Sequence, residues 1–338
     1  MEPHVLLKDV VERSRVRGVY LCSQKTLARG RNERAYLSLT LSDRSGALEA
    51  RVWDQAEAVA RKFADQDLVR VEGIAVLYQG RVQLHLADVE RVDGAGLDPA
   101  DFMPASAQPV DQMWRDLRAL AATVQSAPLK ALLDAVLDDP ALGEALRRSP
   151  AAKTIHHAFV GGLLQHTLSV ARLVDVACAH YAREAPGLID RDLAVCGAIL
   201  HDLGKTRELT SDHGFGYSDI GRLLGHIVLG DALVEEKLRS LPDFPPDLAP
   251  RLRHVLVAHH GEREFGSPKR PKTVEAFVVH HADSLDCQLG VLHGLFAREQ
   301  PRGWSSYQKL YDRYFLRGLQ DGEAAADAPP VEPGDDEV

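Results

Sequence analysis

Thirteen of the fifteen histidines of this 338-residue chain fall between His156 and His293. One of them is locked beside an acid, His201-Asp202 in AILHDLGKTRELT. Three apolar residues, Ala198, Ile199 and Leu200, run into the pair, and Gly204 and Lys205 follow it. A His and a carboxylate at the end of a buried helix offer two ligands to one cation, of the kind that Mn, Fe, Co, Ni or Zn accepts. Alone, the dipeptide is equally compatible with a solvated helix end. The surrounding series narrows the choice. His166 lies in GGLLQHTLSVARL, where Leu163, Leu164, Leu168, Val170 and Leu173 recur at near-helical spacing. Gly225-His226 lies in an apolar helix, His259-His260 ends RLRHVLVAHH, and Asp283 sits in TVEAFVVHHADSLDCQLGVL. Histidines ordered in this way on successive apolar helices favour a metal cluster over a set of hydrogen-bonded core residues. From 151 to about 320 the pattern is helix after helix.

These segments resemble the HD-domain metal-dependent phosphohydrolases. HHAFVGGLLQHT, AILHDLGKTREL, GHIVLGDALVEEKL and AHHGEREFGSPKRPKTVEAFVVHHADSLD are, further, similar to the YhaM family of 3′-to-5′ exoribonucleases. The similarity runs over about residues 15–320. The resemblance implies an N-terminal OB-fold ahead of the HD domain. It implies a first metal held by His166, His201, Asp202 and Asp283. It implies a second held by His226 and His259, with Asp202 bridging and His260 replacing or joining His259. The expected cofactor is a pair of divalent transition-metal ions, Mn first, with Co, Ni, Fe and Zn as alternatives. The expected reaction is 3′-to-5′ exonucleolytic cleavage of single-stranded RNA, with single-stranded DNA as a further substrate.

Two metals roughly 3.5–4 Å apart clamp the attacking and leaving oxygens of a phosphodiester displacement. Lys205, three residues beyond Asp202, is placed to put a charge on a phosphate oxygen. It is equally well placed as a capping lysine at a helix C-terminus. Ser267, Lys269 and Arg270, in GSPKRP, either steer substrate phosphates or form an ordinary solvated loop. His156 and His157 are not assigned as ligands; they line the way in for substrate or satisfy backbone groups.

Residues 16–92 read as strands. Leu37, Leu39 and Leu41 alternate with polar neighbours, and so do Leu48, Ala50 and Val52. Residues 55–64 read as a short helix, and strands follow at Leu68–Tyr78 and Val82–Val89 about a Gln79-Gly80 turn. Strand, strand, strand, helix, strand, strand matches a five-stranded OB barrel. Such barrels hold single strands with basic grooves and stacking aromatics. Tyr36, Arg51 and Trp53 lead the candidates, with Tyr20, Lys25, Arg31 and Arg34 behind them. The competing reading is barrel packing and a solvated face. The resulting division is a barrel at 1–92, a Gly/Pro-rich linker at 93–110, an all-α HD domain with an N-terminal helical connection at 111–320, and an acidic, disordered tail at 321–338.

The formal net charge is −9, of which the last eighteen residues supply −7, whereas residues 1–92 carry +2. Whole-chain charge therefore neither favours nor opposes a polyanionic substrate. No charged-then-apolar leader opens the chain and no apolar run reaches ~18 residues, so a cytoplasmic location is expected. The four cysteines are scattered, without C-x-x-C spacing, and read as buried thiols. P-loop, nucleophile-elbow and H-E-x-x-H motifs are missing from the sequence. Two other functions stay open at this point. One is a nucleotide or cyclic-nucleotide phosphohydrolase with a regulatory barrel. The other is a single-strand-binding protein with a structural metal cluster.

Overall fold

A computed structural model describes residues 5–30, 34–78, 81–94, 97, 99–106, 108–152, 159–210, 216–298, 303–309 and 311–318. Arg31, the Gln79-Gly80 turn, His156, His157 and the acidic segment 321–338 lie outside the described residues. The chain forms two compact units, 1–283 and 284–338.

The first unit begins with five strands: β1 (Arg15–Arg29), β2 (Ala35–Asp43), β3 (Gly46–Val52), β4 (Leu68–Tyr78) and β5 (Arg81–Arg91). They close into a barrel in the order β1-β2-β3-β5-β4. All pairings are antiparallel except β3 with β5. The period-2 pattern explains the barrel interior. Leu37, Leu39 and Leu41 point inward, opposite Val52, Ala50 and Leu48. The three leucines are at most 1% exposed. Closure depends on β1, whose first half pairs with β4 and second half with β2. The strand bends at a bulge between Ser23 and Thr26, where Gln24 takes φ 54°. An extra residue of this kind turns a strand from one neighbour to the next.

Between β3 and β4 lies α1 (Ala56–Ala60), five residues long and shorter than the expected 55–64. Lys25 closes it early. Its ammonium binds the carbonyls of Ala60 and Phe63 and lies over the Phe63 ring, as a cation at a helix C-terminus should.

The Gly/Pro-rich stretch that follows is packed in place. Phe102 and Met103 are buried with Leu21. Ser42 Oγ donates to Phe102 O, and Ala105 forms a parallel bridge with Val160, close to the first histidine helix.

Helices then run as α2 (Val110–Ala122), α3 (Ala127–Leu137), α4 (Pro140–Arg148), α5 (Gly162–Glu184), α6 (Arg191–Leu200) and α7 (Lys205–Glu208). A two-residue hairpin, β6 (Leu209–Thr210) with β7 (Gly216–Tyr217), leads to α8 (Asp219–Arg239), α9 (Leu248–Ala258) and α10 (Val274–Arg298). The hub is α6. It has no charged residue from Leu193 to Leu200, and every one of those residues is buried. Asp190 caps it by accepting from Leu193 N at 3.1 Å. Leu164, Leu168 and Val174 of α5 and Leu252, Val255 and Leu256 of α9 share its core. A helix apolar on all sides has to sit in the middle of a bundle, and this one delivers His201 and Asp202 from its C-terminal end into the interior.

The unit 284–338 holds the C-terminal part of α10 and isolated bridges between Trp304 and Leu316 and between Gln308 and Arg313. Among the described residues, no helix is long and apolar enough to cross a membrane.

Candidate metal centre and nucleic-acid interface

The C-terminal ends of α6 and α9, the N-terminal part of α5, the kink of α8 and Asp283 of α10 converge. His166 Nε2 lies 3.2 Å from His201 Nε2, 3.3 Å from Asp202 Oδ2 and 3.2 Å from Asp283 Oδ1. His201 Nε2 is 3.4 Å from the same Asp202 oxygen. On the other side, His226 Nε2 is 3.3 Å from His260 Nε2 and 3.5 Å from Asp202 Oδ1, and His259 Nε2 is 3.7 Å from Asp202 Oδ1. Two groups therefore exist, His166–His201–Asp202 with Asp283 beside them, and His226–His259–His260. Asp202 stands between the groups with one oxygen toward each.

The rings are held from behind. His201 Nδ1 donates to Ala198 O at 2.7 Å, His259 Nδ1 to Leu256 O at 2.6 Å and His260 Nδ1 to Phe265 O at 2.8 Å. A neutral ring that donates from Nδ1 keeps a bare lone pair on Nε2. These lone pairs face one another and the carboxylates across the centre. His259 Nε2 is buried without a hydrogen-bond partner among the described residues, and so are both oxygens of Asp202. Asp202 Oδ2 also lies 2.6 Å from Lys205 Nζ, in an ion pair.

Convergent imidazole lone pairs and carboxylates are the donor set of a divalent transition metal. Two ligands ~2.0–2.2 Å from one ion stand about 3 Å apart, close to the separations seen. The residues fit the group.

The electrostatics agree. Burial pushes His259 well below its ordinary value, and His201 adds to this, so the ring is neutral. Burial and then His226 lower His260. Burial alone would raise Asp202, but the Lys205 ammonium and His201 outweigh it and hold the carboxyl well below its usual range. Asp283 is likewise lowered against its burial by the hydrogen bond from His166 and by His201.

One contributor escaped the sequence. Glu208, at the end of α7, places its carboxylate 3.2 Å from His226 Nδ1 and accepts from the His226 backbone N–H at 3.0 Å. Burial works against its charge, yet the His226 N–H groups hold its carboxyl below the usual range. Nothing in the spacing of HDLGKTREL marks this glutamate. The detectable signal is Gly225 before His226, since a glycine there permits the helix break that frees the N–H.

The expected phosphate loop divides. Lys269 and Arg270 are exposed, with Arg270 Nε 2.7 Å from Glu262. Ser267 departs from expectation. It is 3% exposed, and its hydroxyl is spent on Val257 O and Lys269 O, so it ties the loop and leaves no donor for a phosphate.

On the barrel, Tyr36 and Trp53 lie with ring centroids 5.1 Å apart. The Arg51 guanidinium stands 5.2 Å from the Tyr36 centroid and 5.7 Å from those of Trp53 and Tyr78. His85 meets Trp53 edge-on at 5.9 Å. Trp53 and Tyr78 are about half exposed. Strand alternation could have flagged Tyr78 and His85, because Ala75, Leu84 and Leu86 point inward and these two share the outward parity. Two earlier candidates fall away. Tyr20 is fully buried with its hydroxyl on Val5 O, and Lys25 is committed to the end of α1. Arg34 is exposed at the start of β2.

Residues 163–287 match the HD domain family, and residues 14–92 match an OB-fold nucleic acid binding domain. The 3′-5′ exoribonuclease YhaM of Bacillus subtilis is 31% identical over 305 residues, covering 89% of this chain and 93% of that protein. The YhaM of Listeria monocytogenes (serotype 4b) is 31% identical over 278 residues, covering 81% of this chain and 85% of the relative. The HD domain of the L. monocytogenes phosphodiesterase PgpH aligns at a TM-score of 0.30 and 17% identity over 45% of this chain and 74% of that one. With 31% identity over most of both chains, this chain belongs to the YhaM family of 3′-5′ exoribonucleases.

Proposed function

We propose that this protein is a metal-dependent 3′-to-5′ exonuclease acting on single-stranded RNA, and on single-stranded DNA as a second substrate. The observation that carries the reading is Asp202, which directs one oxygen to each of two histidine groups. His166, His201, Asp202 and Asp283 would hold one ion, and His226, His259 and His260 would hold the other, with Asp202 contributing to both. Both histidines of the pair belong to this set, because each has Nδ1 tied to a main-chain carbonyl. Manganese is the first choice of metal, ahead of Co, Ni, Fe and Zn.

Such ions supply hydroxide near neutral pH and offset charge on phosphoryl oxygens. The chain supplies the rest. Buried carbonyls fix the imidazole tautomers. Lys205 adds a positive charge beside Asp202 that can meet a non-bridging phosphate oxygen. Burial of His166, His201 and Asp202 keeps bulk water from the inner side of the centre, while His226 and Asp283 are partly exposed and leave it open to a substrate end. Residues 1–92 hold the strand, with Tyr36, Arg51, Trp53, Tyr78 and His85 as a stacking platform that tolerates any base. Residues 93–110 connect them to the catalytic part at 111–320. The protein works in the cytoplasm, where its thiols stay reduced.

Asp202→Asn tests the site. An amide presents one oxygen and one NH₂ and cannot bridge two cations. We expect the variant to fold, to lose most of its bound manganese and to leave an end-labelled 15-mer RNA intact, where the parent protein produces a ladder shortening from the 3′ end. Full metal content with unchanged cleavage would sink the assignment. Intact 15-mer with hydrolysis of small nucleotides by the parent would favour a nucleotide phosphohydrolase. A mobility shift without products would favour a binding protein.

A further inference from the structure

Although continuous in sequence, α8 is broken in space. Gly225 (φ 72°, ψ 158°) interrupts it, and His226 is the first residue of the second segment. A helix start leaves backbone N–H groups without intrahelical acceptors. The N–H of His226 is taken by Glu208 Oε1 at 3.0 Å, and the same carboxylate lies 3.2 Å from the ring Nδ1. The Glu208 carbonyl accepts from Ser218 N at 2.9 Å, and Ser218 Oγ caps the first segment by accepting from Gly221 N at 2.9 Å. One residue therefore holds both halves of the broken helix. His201, His259 and His260 take their Nδ1 acceptors from the main chain. His226 takes its acceptor from a side chain, so its orientation can be altered by a single substitution.

We propose that Glu208 is the positioning residue of the second cation site: its carboxylate holds His226 as the Nδ1–H tautomer and turns Nε2 toward the ion. The inference rests on the two-cation reading above. Its consequence is selective. The group of His166, His201 and Asp283 makes no use of Glu208, so the two ions depend on it unequally.

Glu208→Gln separates positioning from helix capping. The amide oxygen still accepts from the His226 backbone N–H. Its NH₂ takes the place of the oxygen nearer Nδ1, at 3.2 Å against 3.3 Å for the one that remains, and a donor opposite Nδ1 favours the Nε2–H tautomer, which turns a proton toward the ion position. Two measurements on the full chain follow. In metal-free, ¹⁵N-histidine-labelled protein, with His226 assigned by comparison with His226→Ala, the parent should show Nδ1–H and Glu208→Gln should show Nε2–H. In a manganese titration, Glu208→Gln should bind its second ion about 10- to 100-fold more weakly, the usual scale for losing such a partner, with the first ion unchanged. Glu208→Asp, which keeps a carboxylate, should keep the Nδ1–H tautomer. A parent His226 in the Nε2–H form overturns the proposal, as does a Glu208→Gln protein that binds both ions as the parent does. Failure of Glu208→Gln to fold leaves the parent tautomer and Glu208→Asp to decide. A parent protein that binds only one ion overturns the two-cation reading instead, while the tautomer still reports on Glu208.

Discussion

At the scale of single residues, burial and neighbouring groups shift the pKa values of the centre away from their ordinary values. His259 and His260 are both shifted below the ordinary histidine value, burial being the larger cause in each. In the unfolded chain they return to about 6.5. As pH falls below that value the unfolded state takes up protons that the folded state refuses. Stability from these rings is therefore complete above about pH 6.5 and is lost as pH falls toward their folded values. Asp202 and Asp283, both lowered, add a further loss below the normal carboxylate range near 4. We expect the helical unfolding transition of metal-free protein in urea, followed by circular dichroism, to shift to lower denaturant between pH 7.5 and pH 5.5. The slope should be up to ~1.4 kcal/mol per pH unit for each fully buried histidine, and less for His260. A midpoint that does not move over that range would show that these rings titrate normally.

At the scale of elements, the close approach of α7 to α8 decides whether Glu208 and His226 meet. Gly204 makes it possible. A Cβ at residue 204 would overlap the backbone oxygen of His226 and crowd the backbone nitrogen of Gly230. Backbone cannot move aside as a flexible side chain can. Gly204→Ala should therefore cost about 1–3 kcal/mol of stability, as overpacking does, and should displace α8 from the site. Denaturant melts should show the loss, and manganese titration should show weakened binding. Unchanged stability would mean that the two helices separate freely. Gly225 differs in its reason, since it is needed for its positive φ at the kink, and a Cβ there would make only an ordinary contact with Glu208 Oε1 at 3.9 Å.

At the scale of the whole molecule, the proposed function gives strand binding and hydrolysis to different parts of the chain. The outer barrel face carries three aromatic rings around one guanidinium. Trp53→Ala should weaken binding of a single-stranded oligonucleotide by about 1–3 kcal/mol, the worth of one stacked base, with its salt dependence unchanged. Arg51→Ala should instead reduce the slope of log affinity against log salt by about 0.7, the share of one phosphate contact on a single strand. Equal slopes for the parent and Arg51→Ala would place the arginine among the rings only, as their support. Fluorescence titrations at several salt concentrations measure both.

Much of this architecture was legible before any coordinates. Period-2 leucines at 37, 39 and 41 specify a barrel wall, because one face of each strand must be apolar. An uncharged run from Leu193 to Leu200 specifies a central helix, and the His-Asp pair at its end places ligands indoors. The convergence of His166, His201-Asp202, His226, His259-His260 and Asp283 is foreshadowed because a polar residue on an apolar helix face leaves a mark in sequence. Contacts between distant residues leave no such mark. That Glu208 serves His226, that Ser267 is spent on its own loop, and that Lys25 closes a helix 35 residues away were decided by packing. The same holds for Asp202. Its residue type was evident from the chain, but its place between two imidazole groups exists only because α5, α6, α8 and α9 pack their ends together, and a shared position is a property of distances, which sequence order does not contain.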